Sequence, residues 1–463
     1  MADVPVTKQK TSRHWIVAIG ALIIMIGGSV PLSGLSFYNP YLFSVMPDSP
    51  QASILLYFTL LMLSIVVSMI FIGGPALSKV NPRVLMITGS IIVAAALLIF
   101  MNAPSPFMLY VAGVVLGLGY GFSFQLIPIL WVNNWFVKRK GLVVGLVTAG
   151  TGFGGIAWSF MVPALGGTPG IGINGDPESF RRGYLIMAIV VLVVVILPVL
   201  FMIQNKPQDV GLQPYGAEEA RADAVAATQL DKPIPGFTYT QALRTKWLWL
   251  ICAMSIILGV VHSSAQIVAP YLTMRVVTEP PDGMGGPLGY YSLLMMTWTL
   301  GLIIIKPTLG VMNDKLGILW AMGITLSLQA VFFAIFLPNI HQMGTFIPFI
   351  GMIFMSAGMS NGTVQPPLIT ATAMGNKQFG KIWSVAGAFY TLGQAVGAPI
   401  WGAFYDPATG SYTLGFMLAP VALAIYVIGS GIGMRGGKKQ HMDLYEQELA
   451  EWEAKQAVPV PAS

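Results

Sequence analysis

The chain has 463 residues, of which 55% are hydrophobic and only 9% charged, with a mean hydropathy of +0.73 and a formal net charge of +6. That composition is too apolar for a soluble multidomain protein and supplies many windows of about 20 apolar residues, the length that crosses a bilayer as a helix. A single cysteine, Cys252, excludes disulfides and cysteine-rich metal sites, and the positive charge is to be read from its position along the chain rather than as a nucleic-acid footprint.

The tail carries Lys8, Lys10 and Arg13 ahead of a first apolar run from Trp15 to about Leu35. A signal peptide shares that layout, but this run is long, lacks an A-x-A site and precedes eleven more candidates, so it reads as span 1. Spans 2 to 12 are expected near 52–73, 84–102, 107–132, 141–165, 183–203, 247–271, 288–311, 319–338, 345–369, 383–404 and 414–434. The fold class is therefore an all-α membrane protein of twelve transmembrane helices.

Twelve spans put both termini on one side. All but four of the 24 Lys and Arg residues fall in the tails and loops of that side, the exceptions being Arg181, Arg182, Arg275 and Lys306. The bias makes that side cytoplasmic. The longest loop, 204–246, is polar, broken by Pro and Gly, and sits at the chain's midpoint, which divides the sequence into two six-helix halves. The expected organisation is a cytoplasmic N-tail (1–14), a first half (15–203), a cytoplasmic linker (204–246), a second half (247–434) and a cytoplasmic C-tail (435–463). Weak internal repetition agrees. GGPALSKVNPRVLMITG after span 2 is echoed by GVMNDKLGILWAMGI after span 8, and FVKRKGLVVG entering span 5 is echoed by FGKIWSVAG entering span 11. Both pairs are offset by roughly 240 residues, as an internal duplication predicts.

Lys306 stands inside the apolar run of span 8. A lysine at the centre of a spanning helix costs about 2.5–3.5 kcal/mol on insertion scales, so it is retained for an anion, a watery cavity or an escape route. The escape route is snorkelling, since Asp314 lies eight residues on, about 12 Å along a helix. Against it, Trp298, Leu302 and Lys306 share a helical stripe, and Pro307 frees a backbone carbonyl one turn back. None of the 18 Asp and Glu residues falls inside an expected span.

Other polar side chains within spans are candidates to line a cavity: Tyr120 and Gln125 in span 4, Gln266 in span 7, Trp298 in span 8, Asn361 and Gln365 in span 10, and Tyr390 and Gln394 in span 11. Taken singly, each is equally a packing contact or an interfacial aromatic. His262 in span 7 is the other titratable group at membrane depth, either a proton carrier facing the cavity or a hydrogen-bonded packing residue. Gly141, Gly145, Gly150, Gly152, Gly154 and Gly155 thin span 5 for close helix approach. Lys138, Arg139 and Lys140 form a positive anchor or one side of a gate between the halves. Asp314 is the helix-end carboxylate that such a gate needs, whereas Ser78 and Lys79 occupy the matching place in the first half.

The run Asn134 to Gly155, NWFVKRKGLVVGLVTAGTGFGG, with PQDVGLQPYG in the linker and GAPIWGAFYDPATGSY closing span 11, resembles the monocarboxylate transporter and oxalate/formate antiporter branches of the major facilitator superfamily. The resemblance covers nearly all the transmembrane and linker residues. It implies two pseudo-symmetric six-helix halves working by alternating access, a carboxylate substrate with the span 8 cation as counter-ion, and a bacterial cytoplasmic membrane. In both branches that cation is usually Arg followed by Pro. Lys306-Pro307 keeps the charge but lacks the planar fork that grips a carboxylate bidentately.

Two departures narrow the expectation. Animal monocarboxylate transporters carry an Asp one turn before the cation and a Lys after the Pro of span 1, where this chain has Leu302 and Leu32. Oxalate/formate antiporters add a second cation in span 11, where it has Tyr390. One unpaired Lys is balanced by one negative charge, so the expected cargo is a small monocarboxylate of the lactate, pyruvate or formate type. Proton symport through His262 and anion exchange both remain open, as does an oxalate/formate-type antiport. Efflux of amphipathic compounds through a Met-rich pocket (Met295, Met296) is a further transporter reading, and a membrane sensor is the reading outside transport. No paired carboxylates, metal-spacing His cluster or nucleophile and base suggest an enzyme, and no cofactor is expected. The expected partners are carboxylate anions, protons and the lipid bilayer.

Overall fold

In the computed structural model of the protein, the described residues are 12–35, 42, 46–103, 105–164, 167–168, 172–173, 177–217, 233–265, 268, 271, 286–339, 344–406, 408–409 and 411–457. Their secondary structure is helical apart from one two-residue antiparallel pair, Gly167–Thr168 with Gly172–Ile173, and isolated bridges. Ten of the described helices are long and apolar enough to cross a membrane. Lys246–His262 is apolar but shorter, and Phe379–Ala403 has the length, 25 residues.

In the first half, span 1 is Ser12–Leu35 and span 2 runs from Gln51–Val67 through a π-helical turn, Ser68–Gly73, to Ala76. Span 3 is Pro82–Met101, opened by Asn81, whose side chain accepts from the Arg83 N–H, and by Pro82, which has no N–H to leave unpaired. Span 4 is two helices, Pro106–Ser123 and Ile127–Trp135. Pro128 explains the interruption: without an N–H it leaves the carbonyl of Phe124 without its helical partner. Span 5 is Lys140–Ala164 and span 6 is Pro177–Phe201.

In the second half, span 7 is Lys246–His262, span 8 Gly286–Leu316, and span 9 runs from Ile318–Val331 through a π-helical turn, Phe332–Phe336, to Asn339. Gly317, at φ 85°, turns the chain from span 8 into span 9 in a single residue, in a conformation that a Cβ would strain. Span 10 is again two pieces, Ile347–Met359 and Asn361–Met374, so the fourth helix of each half is divided. Span 11 is Phe379–Ala403.

Span 12 begins at Thr413, and its helix continues without a break past the expected end of the span near residue 434 to Ala457. The polar extension is tied to its own half: His441 Nδ1 hydrogen-bonds with the Ala373 carbonyl at 2.9 Å, Thr245 donates to Gln440, and Lys377 pairs with Glu448 at 2.7 Å.

The linker contacts both halves at the same place in each. Tyr215 donates to Trp135 O and accepts from the N–H groups of Val137 and Lys138, just before span 5. Phe237 donates to Met374 O, and Asn376 donates to Pro235 O, just before span 11. Span 1 joins the first cluster through His14, which bonds the Gln213 carbonyl at 2.8 Å and meets Trp135, Phe136 and Tyr215 edge-on. PQDVGLQPYG is thus a docking sequence for the loop between spans 4 and 5. The GAPIWGAFYDPATGSY motif ends in a tight turn outside the spans, where Asp406 accepts from the Ala408 N–H and the Thr409 hydroxyl. Those two bonds, the hydroxyl's first, hold its carboxyl below the usual carboxylate range.

Candidate functional site

The halves meet along two seams, span 5 with span 8 and span 2 with span 11. In span 5 the glycines sort onto two faces by helical spacing. Gly141, Gly145 and Gly152 face span 8, while Gly150 and Gly154 face Leu22, Met25, Ile26 and Ser29 of span 1. Thr148 falls on the first stripe, at the i, i+4, i+7, i+11 positions that one helix face presents. A side chain at Gly145 would overlap the backbone of Lys306 and Pro307, and one at Gly141 would meet Gly310, Asn313 and Asp314. The packing reading of these glycines is therefore right, but half of the packing lies between the two halves of the protein.

Lys306 is 3% exposed, and its ammonium crosses that seam. It donates to the Thr148 carbonyl at 3.1 Å and to the Thr151 hydroxyl at 2.6 Å. The Thr151 hydroxyl donates in turn to the same Thr148 carbonyl at 2.9 Å, which leaves its lone pairs to the lysine. Among the described residues, no carboxylate pairs with Lys306. The side chain does not snorkel to the nearer end of span 8: it is held at depth by neutral oxygens.

At the linker-bearing end the same seam is closed by Asp314, whose two carboxylate oxygens accept from the backbone N–H groups of Gly141, at 3.0 Å, and Leu142, at 2.9 Å. These are first-turn amides of span 5 with no partner inside their own helix, and the helix dipole adds attraction for an anion. Of the three basic residues expected at the gate, Lys140 hydrogen-bonds Asn133 within the first half and sits over the Phe379 ring of span 11 at 5.5 Å. Arg139 takes a left-handed backbone, φ 56°, at the entry to span 5. The Lys138 N–H donates to Tyr215 of the linker. Asp314 therefore accepts from span 5 amides, and among the described residues none of these three side chains pairs with it. Across the other seam, Gly74 faces Ser384 and Gly387 faces Met69, in contacts without charge.

A cavity of about 160 Å³ lies between spans 2, 7, 8, 10 and 11, with Phe58, Thr59 and Met62 from the first half and His262, Ser263, Trp298, Met359 and Gln394 among its walls from the second. It is level with Trp298, about two turns or 12 Å along span 8 from Lys306. Of the expected lining residues, Trp298, Gln394 and His262 are in its wall. The others are elsewhere. Tyr120 is buried and stacks on Phe124 at 5.1 Å. Gln125 falls in the interruption of span 4. Asn361 is spent on Thr325 of span 9 and on the Ala357 and Gly358 carbonyls, and Gln365 donates to Asn313 of span 8 at 2.9 Å. Tyr390 does not line the cavity but lies behind His262, its hydroxyl 3.0 Å from Nδ1. Gln266 lies outside the described residues. Met295 and Met296 are not in the cavity wall, and its methionines are Met62 and Met359.

Sequence reasoning missed Thr148 and Thr151, and missed the span 2 side of the cavity. The signal for the threonines was present: they interrupt the glycine stripe of span 5 that packs against the Lys306 turn. Phe58, Thr59 and Met62 carry no distinguishing signal in an apolar run.

Comparison with known proteins places this geometry. Residues 17–277 match the Major Facilitator Superfamily. The chain is 24% identical over 345 residues to an oxalate:formate antiporter of Oxalobacter formigenes, an alignment covering 71% of each. It is 25% identical over 163 residues to the MFS-type transporter pynF of Aspergillus niger, spanning only 36% of that protein and 34% of this chain. The E. coli fucose:proton symporter FucP superposes with a TM-score of 0.62 at 15% identity, over 91% of this chain and 98% of its own, a likeness of fold alone. Two six-helix halves meeting on seams between spans 5 and 8 and spans 2 and 11, with a match over more than half the sequence, make this chain a member of the Major Facilitator Superfamily, a secondary transporter embedded in a membrane and not an enzyme.

Proposed function

We propose that the chain carries small organic anions, monocarboxylates of the lactate, pyruvate or formate type, by alternating access with Lys306 as the substrate's counter-ion. The observation that carries this reading is the buried ammonium on the seam between the halves, held by neutral oxygens and paired with no described carboxylate. A lone cation in a low-dielectric seam is neutralised by one negative charge and overcompensated by two. Tyr390, where the oxalate/formate branch is expected to carry its second cation, is engaged with His262 and brings no charge. The likeness to the oxalate:formate antiporter supports a carboxylate cargo, and oxalate/formate-type exchange is the neighbouring alternative.

With both termini cytoplasmic, as the charge bias suggests, the Asp314 contacts close the cytoplasmic side. His262 in the cavity wall is the residue available to couple a proton.

The test is uptake of labelled lactate, formate and oxalate into proteoliposomes, with either an imposed inward proton gradient or internal unlabelled anion. Monocarboxylate uptake in either arm supports the proposal, and the arm that works separates symport from exchange. Transport of oxalate in preference to both monocarboxylates, or silence in both arms, refutes it.

A further inference from the structure

Lys306 belongs to the second half, and both oxygens that hold it belong to the first. Any motion that parts span 5 from span 8 must break those bonds. We propose that the Thr151 hydroxyl and the Thr148 carbonyl are a stand-in ligand for the substrate's carboxylate, locking the seam until an anion replaces them on Lys306. The inference rests on the anion-carrier reading of Lys306 and adds the residue that sets how tightly transport is coupled.

The chemistry is specific to this arrangement. An ammonium has three N–H donors and no acceptor. Here two of them meet two oxygens that are themselves hydrogen-bonded to each other, so that Thr151, Thr148 and Lys306 close a triangle. Because the Thr151 hydroxyl hydrogen is committed to the Thr148 carbonyl, the hydroxyl can serve the lysine only as an acceptor, which is the role of a carboxylate oxygen. Gly145 and Gly152 bring the two backbones into contact on either side of the triangle, leaving no room for a solute while the seam is closed.

Opening the empty seam would strand a cation that has lost its partners, which is strongly unfavourable in a buried site. A carboxylate supplies two oxygens and a full charge, outcompetes the neutral pair and leaves the loaded seam electrically balanced. A neutral solute cannot do so. The apparent affinity for anion is thereby reduced by the fraction of carrier held in the locked state. Weakening the lock raises that affinity while allowing the empty carrier to reorient.

The experiment uses the full chain in proteoliposomes with labelled lactate and formate as probes. For wild type, Thr151→Val, Thr151→Ser and Lys306→Gln, it reads the half-saturating concentration for exchange and the ratio of net efflux into anion-free medium to exchange. Loss of one hydrogen bond to a charged group predicts about a tenfold lower half-saturating concentration in Thr151→Val. The same variant should show a higher ratio of net efflux to exchange, and Thr151→Ser, which keeps the hydroxyl, should restore both values. Thr151→Ala carries the same expectation should the valine variant fold poorly. If the Val and Ala variants match the Ser variant in both readouts while Lys306→Gln is inactive, the lock is refuted and the counter-ion stands. If Lys306→Gln exchanges anions as wild type does, or wild type carries neither probe, the anion-carrier reading falls and the lock with it.

Discussion

Asp314 of span 8 caps the first turn of span 5 across the boundary between the halves, accepting the Gly141 N–H at 3.0 Å and the Leu142 N–H at 2.9 Å. At the matching seam between spans 2 and 11, the described contacts at Gly74 and Gly387 are with Ser384 and Met69, which carry no charge. Among the described residues, Asp314 supplies the carboxylate contact between the halves at the linker-bearing end.

Asp314→Asn keeps one acceptor oxygen but loses the charge and the second acceptor. An anion at an exposed helix N-terminus contributes about 0.3–1 kcal/mol, so the closed population relative to the open one should fall about two- to fivefold. Spin labels at Val137 and Lys315, both exposed beside the seam, read this as a shift of the distance distribution toward separated halves. An unchanged distribution would remove Asp314 from the gate.

Gly145→Ala tests the packing beneath the lysine. The added methyl would overlap the Lys306 carbonyl group and Pro307 Cα, backbone atoms that no rotamer change can move aside. Overpacking of this kind costs roughly 1–3 kcal/mol. It acts here on the closed state alone, so exchange should slow by about tenfold or more while the protein still inserts and purifies normally. Normal exchange would mean that the seam does not close this tightly during transport.

These two contacts show what the sequence could and could not carry. Hydropathy located the spans because twenty apolar residues have few other uses, and Lys306 stood out as a charge in such a run. Its partners did not, because Thr148 and Thr151 are 158 and 155 residues away and sit in a run whose glycines already had an explanation. A polar residue in an apolar helix looks the same whichever neighbour it faces. Asn361 and Gln365 were therefore indistinguishable from Trp298 and Gln394 until the helix rotations were known. The helical tail beyond span 12 was legible as a solvated helix in DLYEQELAEWEA, but not its continuity with the span, because hydropathy ends near residue 434 where the helix does not.

His262 and Tyr390 separate proton coupling from packing. His262→Gln should leave anion exchange in place while abolishing uptake driven by a proton gradient. Tyr390→Phe, which removes the 3.0 Å contact to Nδ1, should lower thermal stability by about 1–2 kcal/mol through the unpaired buried imidazole. A pH profile for uptake that is identical in His262→Gln and wild type would return the histidine to a packing role.

The counter-ion claim is tested most directly by counterflow of labelled lactate and formate in proteoliposomes containing wild type, Lys306→Gln or Lys306→Arg. Removing a buried charge partner of the substrate costs about 3–5 kcal/mol, so Lys306→Gln should lose at least roughly 100-fold in counterflow while folding normally, and Lys306→Arg should retain activity. Counterflow at the wild-type rate in Lys306→Gln would contradict the account.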